Sequence, residues 1–136
     1  MPDMPWTTPT APAPAPAPDA EVYVMASRFE TKTLLGALRF ALKSPAIVFQ
    51  IRKAPGAHGA ALRGRVGSRT FLTLSAWESR DALYRFARSE PHRSNSRAAA
   101  AFMKESAFTF WTAPASDLPI TWEEAERRLA AEQARY

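Results

Sequence analysis

TFLTLSAWESRDALYRFARSEPH, from Thr70 to His92, is the stretch that decides the fold. Its first eight residues alternate between two sets of side chains and predict a buried strand that ends at Trp77. Ser79 follows as a helix cap, and Asp81 lies in the first helical turn, where a negative charge is favourable. Pro91 ends that helix. This strand and helix predict a mixed α and β domain. The two faces of the strand are Phe71, Thr73, Ser75 and Trp77 on one side, and Leu72, Leu74 and Ala76 on the other.

The composition limits the classes of function. The chain has 136 residues, enough for one domain with its own core. It has no cysteine, which excludes disulfides, thiolate metal sites and cysteine nucleophiles, and its two histidines show no zinc spacing. No metal site is expected. No uninterrupted apolar run approaches the roughly 18 residues of a membrane span. The first residues do not show the pattern of a secretory signal. We therefore expect a cytoplasmic protein without a membrane partner.

The charge distribution is asymmetric. Residues 28 to 97 hold 14 Lys and Arg against 4 Asp and Glu. A basic middle could attract anionic ligands. Scattered arginines are more typical of a solvated face, however, and neither a recognition-helix pattern nor aromatic residues interleaved on a basic strand are present. We expect no nucleic-acid partner.

The chain divides into a tail and one domain. Residues 1–19 form an Ala/Pro-rich tail that we expect to be disordered and extended, with Trp6 exposed. Residues 20–136 form a single domain. Its first strand is expected over Glu21–Phe29, followed by a helix from Thr31 or Thr33 to about Lys43, because the residue before Pro45 disfavours helix. The apolar stripe expected to face the sheet is Leu34, Leu38, Ala41 and Leu42.

The later elements follow from the same patterns. Ala46–Lys53 alternates as a second strand, whereas the Gly-rich segment after it predicts either a ragged strand or a long loop. A further helical piece is expected over 94–104 and a strand over 107–112. Thr121 and Glu124 form a capping box that begins a C-terminal helix to about Gln133.

This order predicts an α+β, ferredoxin-like βαββαβ fold with an antiparallel sheet and an extra C-terminal helix. Helices cover one face of such a sheet. The other face would then expose aromatic and aliphatic side chains beyond what monomers usually tolerate. A second copy packed sheet to sheet would cover them, which predicts a homodimer with a closed α/β barrel.

Two motifs suggest a family. Trp77-Glu78-Ser79 followed by Asp81-Ala82-Leu83 and Pro91-His92 resembles the dimeric α/β-barrel superfamily of antibiotic-biosynthesis monooxygenases. The aromatic pair Phe110-Trp111 before Pro119–Ala125 is similar to its spheroidene-monooxygenase-like branch of unknown function. The resemblance covers about residues 20 to 130. It implies a cofactor-independent oxygenase, a haem-handling enzyme or a member without activity. The asparagine that the oxygenases carry near the first strand has no counterpart at positions 22 to 29.

The resemblance also implies site residues. His92 and Trp77 match, approximately, the places of an iron-ligating histidine and a pocket tryptophan. His92 could act as a general base or bind haem iron, or only satisfy backbone groups at a helix kink. Trp77 could stack on a substrate or be core. Arg63, Arg65 or Arg97 could hold a carboxylate or phenolate. The further residues expected to line a cavity are Tyr23, Ser75, Tyr84 and Trp111.

Two functions remain open from the sequence. The first is a small monooxygenase-like oxidoreductase that acts on an aromatic polyketide or polyene-like molecule in a pocket between sheet and helices. The second is a non-catalytic dimeric barrel that binds a small apolar ligand or a partner. The sequence shows no pattern typical of a catalytic triad or of a catalytic carboxylate pair. The cofactor is undetermined: none is needed in the first case, and haem could bind through His92.

Overall fold

The computed structural model describes residues 3–7, 17–89, 93, 97 and 103–133. Within them the elements in chain order are β1 (Asp3–Thr7), β2 (Glu21–Thr31), α1 (Leu34–Lys53), β3 (Ala57–Arg65), β4 (Thr70–Trp77), α2 (Arg80–Arg88), β5 (Met103–Pro114) and α3 (Trp122–Gln133). Short 3₁₀ turns cover Val66–Ser68 and Ala115–Asp117. The strands form one antiparallel sheet in the order β1-β3-β4-β2-β5. Leaving β1 aside, this is the ferredoxin-like order, so the predicted fold class is confirmed.

The central strand and the helix after it follow the sequence prediction. β4 spans Thr70–Trp77, and the Ser79 side chain accepts a hydrogen bond from the amide of Ala82 at 3.1 Å. Phe71 and Trp77 pack on the side of α1 and α2, while Leu72 and Leu74 belong to the core on the opposite face. Local capping and strand alternation are sufficient to define this unit.

Helix α1 does not end before Pro45. It begins after Thr33, whose hydroxyl accepts from the amide of Gly36 at 3.0 Å, and continues to Lys53. The strand predicted over Ala46–Lys53 is therefore wrong. Proline removes one helical hydrogen bond, but Ser44 makes a side-chain bond to the Phe40 carbonyl at 2.6 Å in the same turn. The extension also buries further apolar side chains, which offsets the lost bond.

The predicted inner stripe of α1 is wrong at its three leucines, whereas Ala41 does pack against the core. Leu34, Leu38 and Leu42 are 59%, 49% and 75% exposed. The face that packs inward consists of Gly36, Ala37, Phe40, Ser44, Val48 and Ile51. Small residues on that face let the helix axis approach the sheet, and the continuation past Pro45 adds two aliphatic residues to the same side. The leucine stripe consequently points away from the body.

By length and composition alone, α1 could cross a membrane: its 20 residues include an apolar stretch that meets that requirement. The expectation of no membrane partner stays a prediction, because length and composition alone do not place a helix in a membrane. The core helix of a soluble protein can meet the same requirement, and α1 does pack against the sheet along one side.

The Gly-rich segment after α1 is a strand rather than a long loop. β3 spans Ala57–Arg65 and pairs with β4. β5 begins at Met103, four residues earlier than predicted, so the predicted helical piece over 94–104 ends too late. Apart from Arg97, which is helical and exposed, the earlier part of that piece lies outside the described residues.

Part of the tail belongs to the sheet. Asp3–Thr7 pairs antiparallel with β3, so these five residues are not a disordered segment. Trp6 is half-buried, and a Cβ placed on Gly59 would overlap its indole ring. The expectation of an exposed Trp6 is wrong because a glycine on β3 leaves room for the ring on the sheet.

The second face of the sheet is covered by the chain itself. Helix α3 lays Ala125 and Leu129 on it, and Ile120 and the ring of Trp6 join the same core. Val22 and Val24 on that face are at most 1% exposed. The reason given for a homodimer, an uncovered sheet face, is therefore wrong. The dimer itself stays a prediction that a single chain does not test.

Candidate functional site

A cavity of about 710 Å³ lies between the sheet and helices α1 and α2. Its floor is formed by alternate residues of β2, β4 and β5, and its roof by the inner faces of the two helices. The volume is in the range of small-molecule sites. Its lining includes the polar and aromatic residues Ser27, Thr73, Ser75, Trp77, Tyr84 and Phe110.

The polar groups in the floor are paired with one another. The buried Trp77 indole N–H donates to the Ser75 hydroxyl at 2.9 Å. The hydroxyls of Ser27 and Thr73 form a second bond across β2 and β4. These pairs satisfy groups that would be costly to bury alone. They leave hydroxyl oxygens as further acceptors, but no group among them titrates near neutral pH.

The remaining walls are largely aromatic and aliphatic. Phe40 packs against Phe71 with ring centroids 4.6 Å apart, and Phe29 packs edge-on against Phe108 at 5.5 Å. Phe108 and Phe110 are 44% and 42% exposed, so they lie where the cavity meets solvent. Aromatic faces arranged in this way favour a flat, apolar ligand.

A polar cluster lies at one end of the cavity. The Tyr84 side chain lines it, and the Arg80 guanidinium is 5.0 Å from the centre of the Tyr84 ring. A hydrogen bond to Tyr84 raises the pKa of Arg80 above its ordinary value. Burial raises the pKa of Tyr23, and the nearby Tyr84 raises it further, although Arg80 acts in the opposite direction. Tyr23 is therefore a neutral hydroxyl donor at physiological pH, beside a permanent cation.

Two lysines line the cavity at its exposed side. Lys43 comes from α1 and Lys104 from β5. Lys104 pairs with Glu30 across β2 and β5, with its Nζ 3.2 Å from a carboxylate oxygen. This pair is solvent-exposed on the lysine side, so its contribution to stability is small.

Three of the predicted site residues line the cavity. These are Trp77, Ser75 and Tyr84. Trp77 is fully buried and its N–H is already bonded to Ser75, so it forms part of the cavity wall. Its role in positioning a substrate stays a prediction. Tyr23 stacks on Phe110 with centroids 5.9 Å apart and lies beside the lining.

The other predicted residues lie elsewhere. Trp111 is on the opposite face of the sheet, in the core under α3, with the Arg128 guanidinium 4.5 Å from its ring. Arg63 lies over Trp122 on that same side. Arg65 and Arg97 are exposed and do not line the cavity, and His92 lies outside the described residues. Trp111 is thus placed away from the site because strand alternation separates it from Phe110.

Several residues of the site were not among those predicted from the sequence. Ser27 and Thr73 could have been found from the alternation of their strands, since each shares a face with a predicted residue. Arg80 could have been found from its position four residues before Tyr84 on one helix. Phe40, Val48 and Ile51 could not, because the predicted helix had the wrong end and the wrong inner face.

The described lining does not fit a bound metal. It contains no histidine, cysteine or carboxylate, and no group of three such residues occurs among the described positions. Haem could be considered only through His92, which is outside those positions. We therefore derive no step through haem.

The fold and cavity define a class: a small antiparallel α+β domain of the ferredoxin-like type, with a cavity between sheet and helices. Residues 27–135 match the family described as domain of unknown function DUF3291, so the chain belongs to that family. A search among curated proteins finds no match.

Solved structures support the class at the level of the fold. SnoaB, a cofactor-independent oxygenase from Streptomyces nogalater, matches with a TM-score of 0.55 at 20% identity, over 74% of this chain and 99% of that one. A candidate antibiotic biosynthesis monooxygenase from Nitrosomonas europaea matches with a TM-score of 0.62 at 16% identity, over 74% and 93% of the chains. A similar candidate from Deinococcus radiodurans has a TM-score of 0.59 at 11% identity, over 65% and 89%. The resemblance inferred from the sequence is thereby confirmed for the fold.

Proposed function

We propose that the protein is a small monooxygenase-like enzyme that binds a flat, apolar aromatic or polyene molecule and oxidises it without a resident cofactor. The observation that carries the proposal is the cavity of about 710 Å³ with aromatic walls and one polar end. The named activity of a neighbour of the same fold, a cofactor-independent oxygenase, supports the choice of reaction.

The walls favour the substrate class. Phe29, Phe40 and Phe108 present ring faces and edges to the cavity, and the described lining offers no acidic side chain. An apolar ligand gains free energy by leaving water in such a site. A strongly anionic ligand would find cations only at its margins, in the two lysines at the exposed side and in Arg80 beside the polar end.

The polar end suits a developing negative charge. Without a cofactor, the substrate itself must supply the electrons, which requires a CH₂ group activated by conjugation with a carbonyl or phenol. Loss of a proton gives a carbanion whose charge spreads to that oxygen, and Tyr84 beside Arg80 would stabilise it. In the overall reaction O₂ gives one oxygen atom to the carbon. The other leaves as water with both CH₂ hydrogens, and the substrate loses four electrons as CH₂ becomes C=O. His92 remains the predicted base.

Oxygen uptake with dithranol, a tricyclic ketone with an activated CH₂ group, tests the proposal. We expect uptake above the rate without protein, and a decrease of about 10²-fold for Tyr84→Phe if its hydroxyl stabilises the anion. Arg80→Gln should also slow the reaction. Arg85→Gln, an exposed arginine on the same helix, is the matched control and should have no effect.

A specific observation supports the non-catalytic alternative. The floor hydroxyls and the Trp77 N–H are bonded to one another, so they need no substrate to satisfy them. If dithranol quenches tryptophan fluorescence in a saturable way but no oxygen is consumed, the protein is an apolar-ligand binder. If neither signal appears, both functions are contradicted for this ligand class.

A further inference from the structure

Helix α1 carries two apolar faces, and only one of them is used by the fold. The inner face packs on the sheet and lines the cavity. On the outer face an apolar stripe remains in solvent: Leu34, Leu35, Leu38, Leu42 and Phe49, from 49% to 75% exposed. At 1.5 Å per residue the stripe extends for about 22 Å along the helix. An exposed apolar patch of this length marks an interaction site.

The charges along the helix have one sign. Arg39, Lys43, Arg52 and Lys53 are its only charged residues, and it contains no acidic residue. On a helical projection Arg39 lies beside one edge of the stripe and Arg52 at the other. Lys53 lies at its C-terminal end, and Lys43 lies further round, towards the inner face. An apolar stripe bordered by basic residues is the pattern of a helix that lies in the surface of an anionic membrane.

The same charges disfavour a second copy of the chain on this face. A two-fold interface apposes the same patch on both subunits. It would bring the basic residues of one helix near those of its partner without any acidic residue of α1 to pair them. Like charges at a desolvated contact weaken association. An anionic lipid surface, by contrast, can bind both the leucine side chains and the basic side chains of this face.

The stripe is also adjacent to the cavity. Lys43 is exposed, lies on α1 between the edge of the stripe at Arg39 and the inner face, and lines the cavity. Phe108 and Phe110 are exposed at the same opening on the β5 side. A helix lying at a lipid surface would therefore bring the cavity opening close to the phase in which apolar molecules dissolve.

We propose that the outer face of α1 docks the protein on an anionic lipid bilayer, with the helix parallel to the surface. This proposal replaces the expectation of no membrane partner. It stands independently of the oxidation proposed above, because the stripe and its charges do not depend on what the cavity binds.

Co-sedimentation of the full chain with vesicles tests it. We expect binding to vesicles of phosphatidylcholine with phosphatidylglycerol, and much less to phosphatidylcholine alone. Leu38→Ser with Leu42→Ser should weaken binding by about tenfold or more, because two leucines no longer enter the lipid. Both residues are exposed, so the double variant should unfold at the temperature of the wild type, which checks that it folds.

A charge series separates the stripe from general basicity. Arg39→Gln with Lys53→Gln should weaken binding by about fivefold for each charge removed. Arg85→Gln with Arg88→Gln removes two exposed arginines from α2 and should leave binding nearly unchanged. Equal losses in the two pairs would overturn the proposal. So would wild-type protein that stays in solution with the anionic vesicles, or a wild-type dimer that the two leucine substitutions convert to a monomer.

Discussion

Gly56 connects α1 to β3, and its lack of a side chain allows α2 to approach closely. Its backbone φ is +83°, a region that L-residues with a side chain rarely adopt. Its carbonyl accepts a hydrogen bond from the amide of Glu78 at 2.7 Å, at the end of β4. A Cβ at this position would lie 2.7 Å from the Cβ of Ala82 and 2.9 Å from the Cγ of Glu78. Gly56→Ala therefore strains both the backbone and the packing.

The two effects can be estimated separately. The backbone conformation costs about 1–2 kcal/mol for a residue with a Cβ. The overlap with the buried Ala82 adds about 1–3 kcal/mol, as extra atoms in a packed core do. Loss of unfolded-state freedom offsets about 0.4–1 kcal/mol of this. We expect Gly56→Ala to lower the free energy of unfolding by about 2–4 kcal/mol, a large part of the roughly 5–15 kcal/mol of a typical domain.

Urea unfolding followed by tryptophan fluorescence measures this difference. Gly67→Ala is the matched control, because nothing lies within 4 Å of its added Cβ and its φ is not positive. It should be neutral or slightly stabilising. Because Ala82 begins the helix that carries Tyr84, Gly56→Ala should also weaken ligand binding in the cavity. Equal midpoints for the two variants would refute the close approach of α2.

Three further predictions concern the cavity floor, pH and capping. Ser75→Ala should lower the free energy of unfolding by about 1–3 kcal/mol, because the buried Trp77 N–H loses its acceptor. The loss should be smaller in a Trp77→Phe background, which a double-mutant cycle by urea unfolding would measure. Burial lowers the pKa of His58, only partly opposed by Glu78. The unfolded chain then binds more protons, so stability should fall as the pH drops below about 6.5, and urea midpoints for His58→Gln should depend less on pH. Thr33→Ala should cost about 1 kcal/mol by removing the cap of α1, seen as a lower midpoint with an unchanged slope.

Local rules predicted the elements whose cause is local. These are the Ser79 cap, the Thr33 cap (one of the two alternatives, Thr31 or Thr33), the limits of β4 and the Thr121 cap of α3. All depend on residues within one turn of the boundary. The amide of Glu124 does donate to the Thr121 hydroxyl at 3.2 Å, but the Glu124 carboxylate pairs with arginines on its own helix instead of completing the capping box.

The error at Pro45 has a different cause. A proline disfavours helix at the residue before it, but that preference is small compared with the burial of a second helical segment. Ala46–Lys53 alternates well enough for a strand, while Ser44, Val48 and Ile51 also share one helical face. The local pattern fits both structures. Packing against the sheet decides between them, and the sequence does not display that packing.

The site was predictable where it lies on the central strand. Ser75 and Trp77 follow from alternation on β4, and Tyr84 from the helix period of α2. The helical roof of the cavity was not predictable, because it depends on which face of α1 packs on the sheet. Trp111 was misplaced for a related reason: the aromatic pair at 110–111 was treated as one feature, although neighbours on a strand point to opposite faces.

The two apolar faces of α1 explain why its sequence misleads. A helix that is hydrophobic all round is usually buried in a large core or in a membrane. Here a 20-residue helix on a small domain can bury only one face, formed by small residues and by Phe40, Val48 and Ile51. The leucines are in excess of what the core needs, and their enrichment on the outer face is not required by packing. That excess needs a cause outside the fold. A contact with lipid supplies one that also accounts for the absence of acidic residues from the helix.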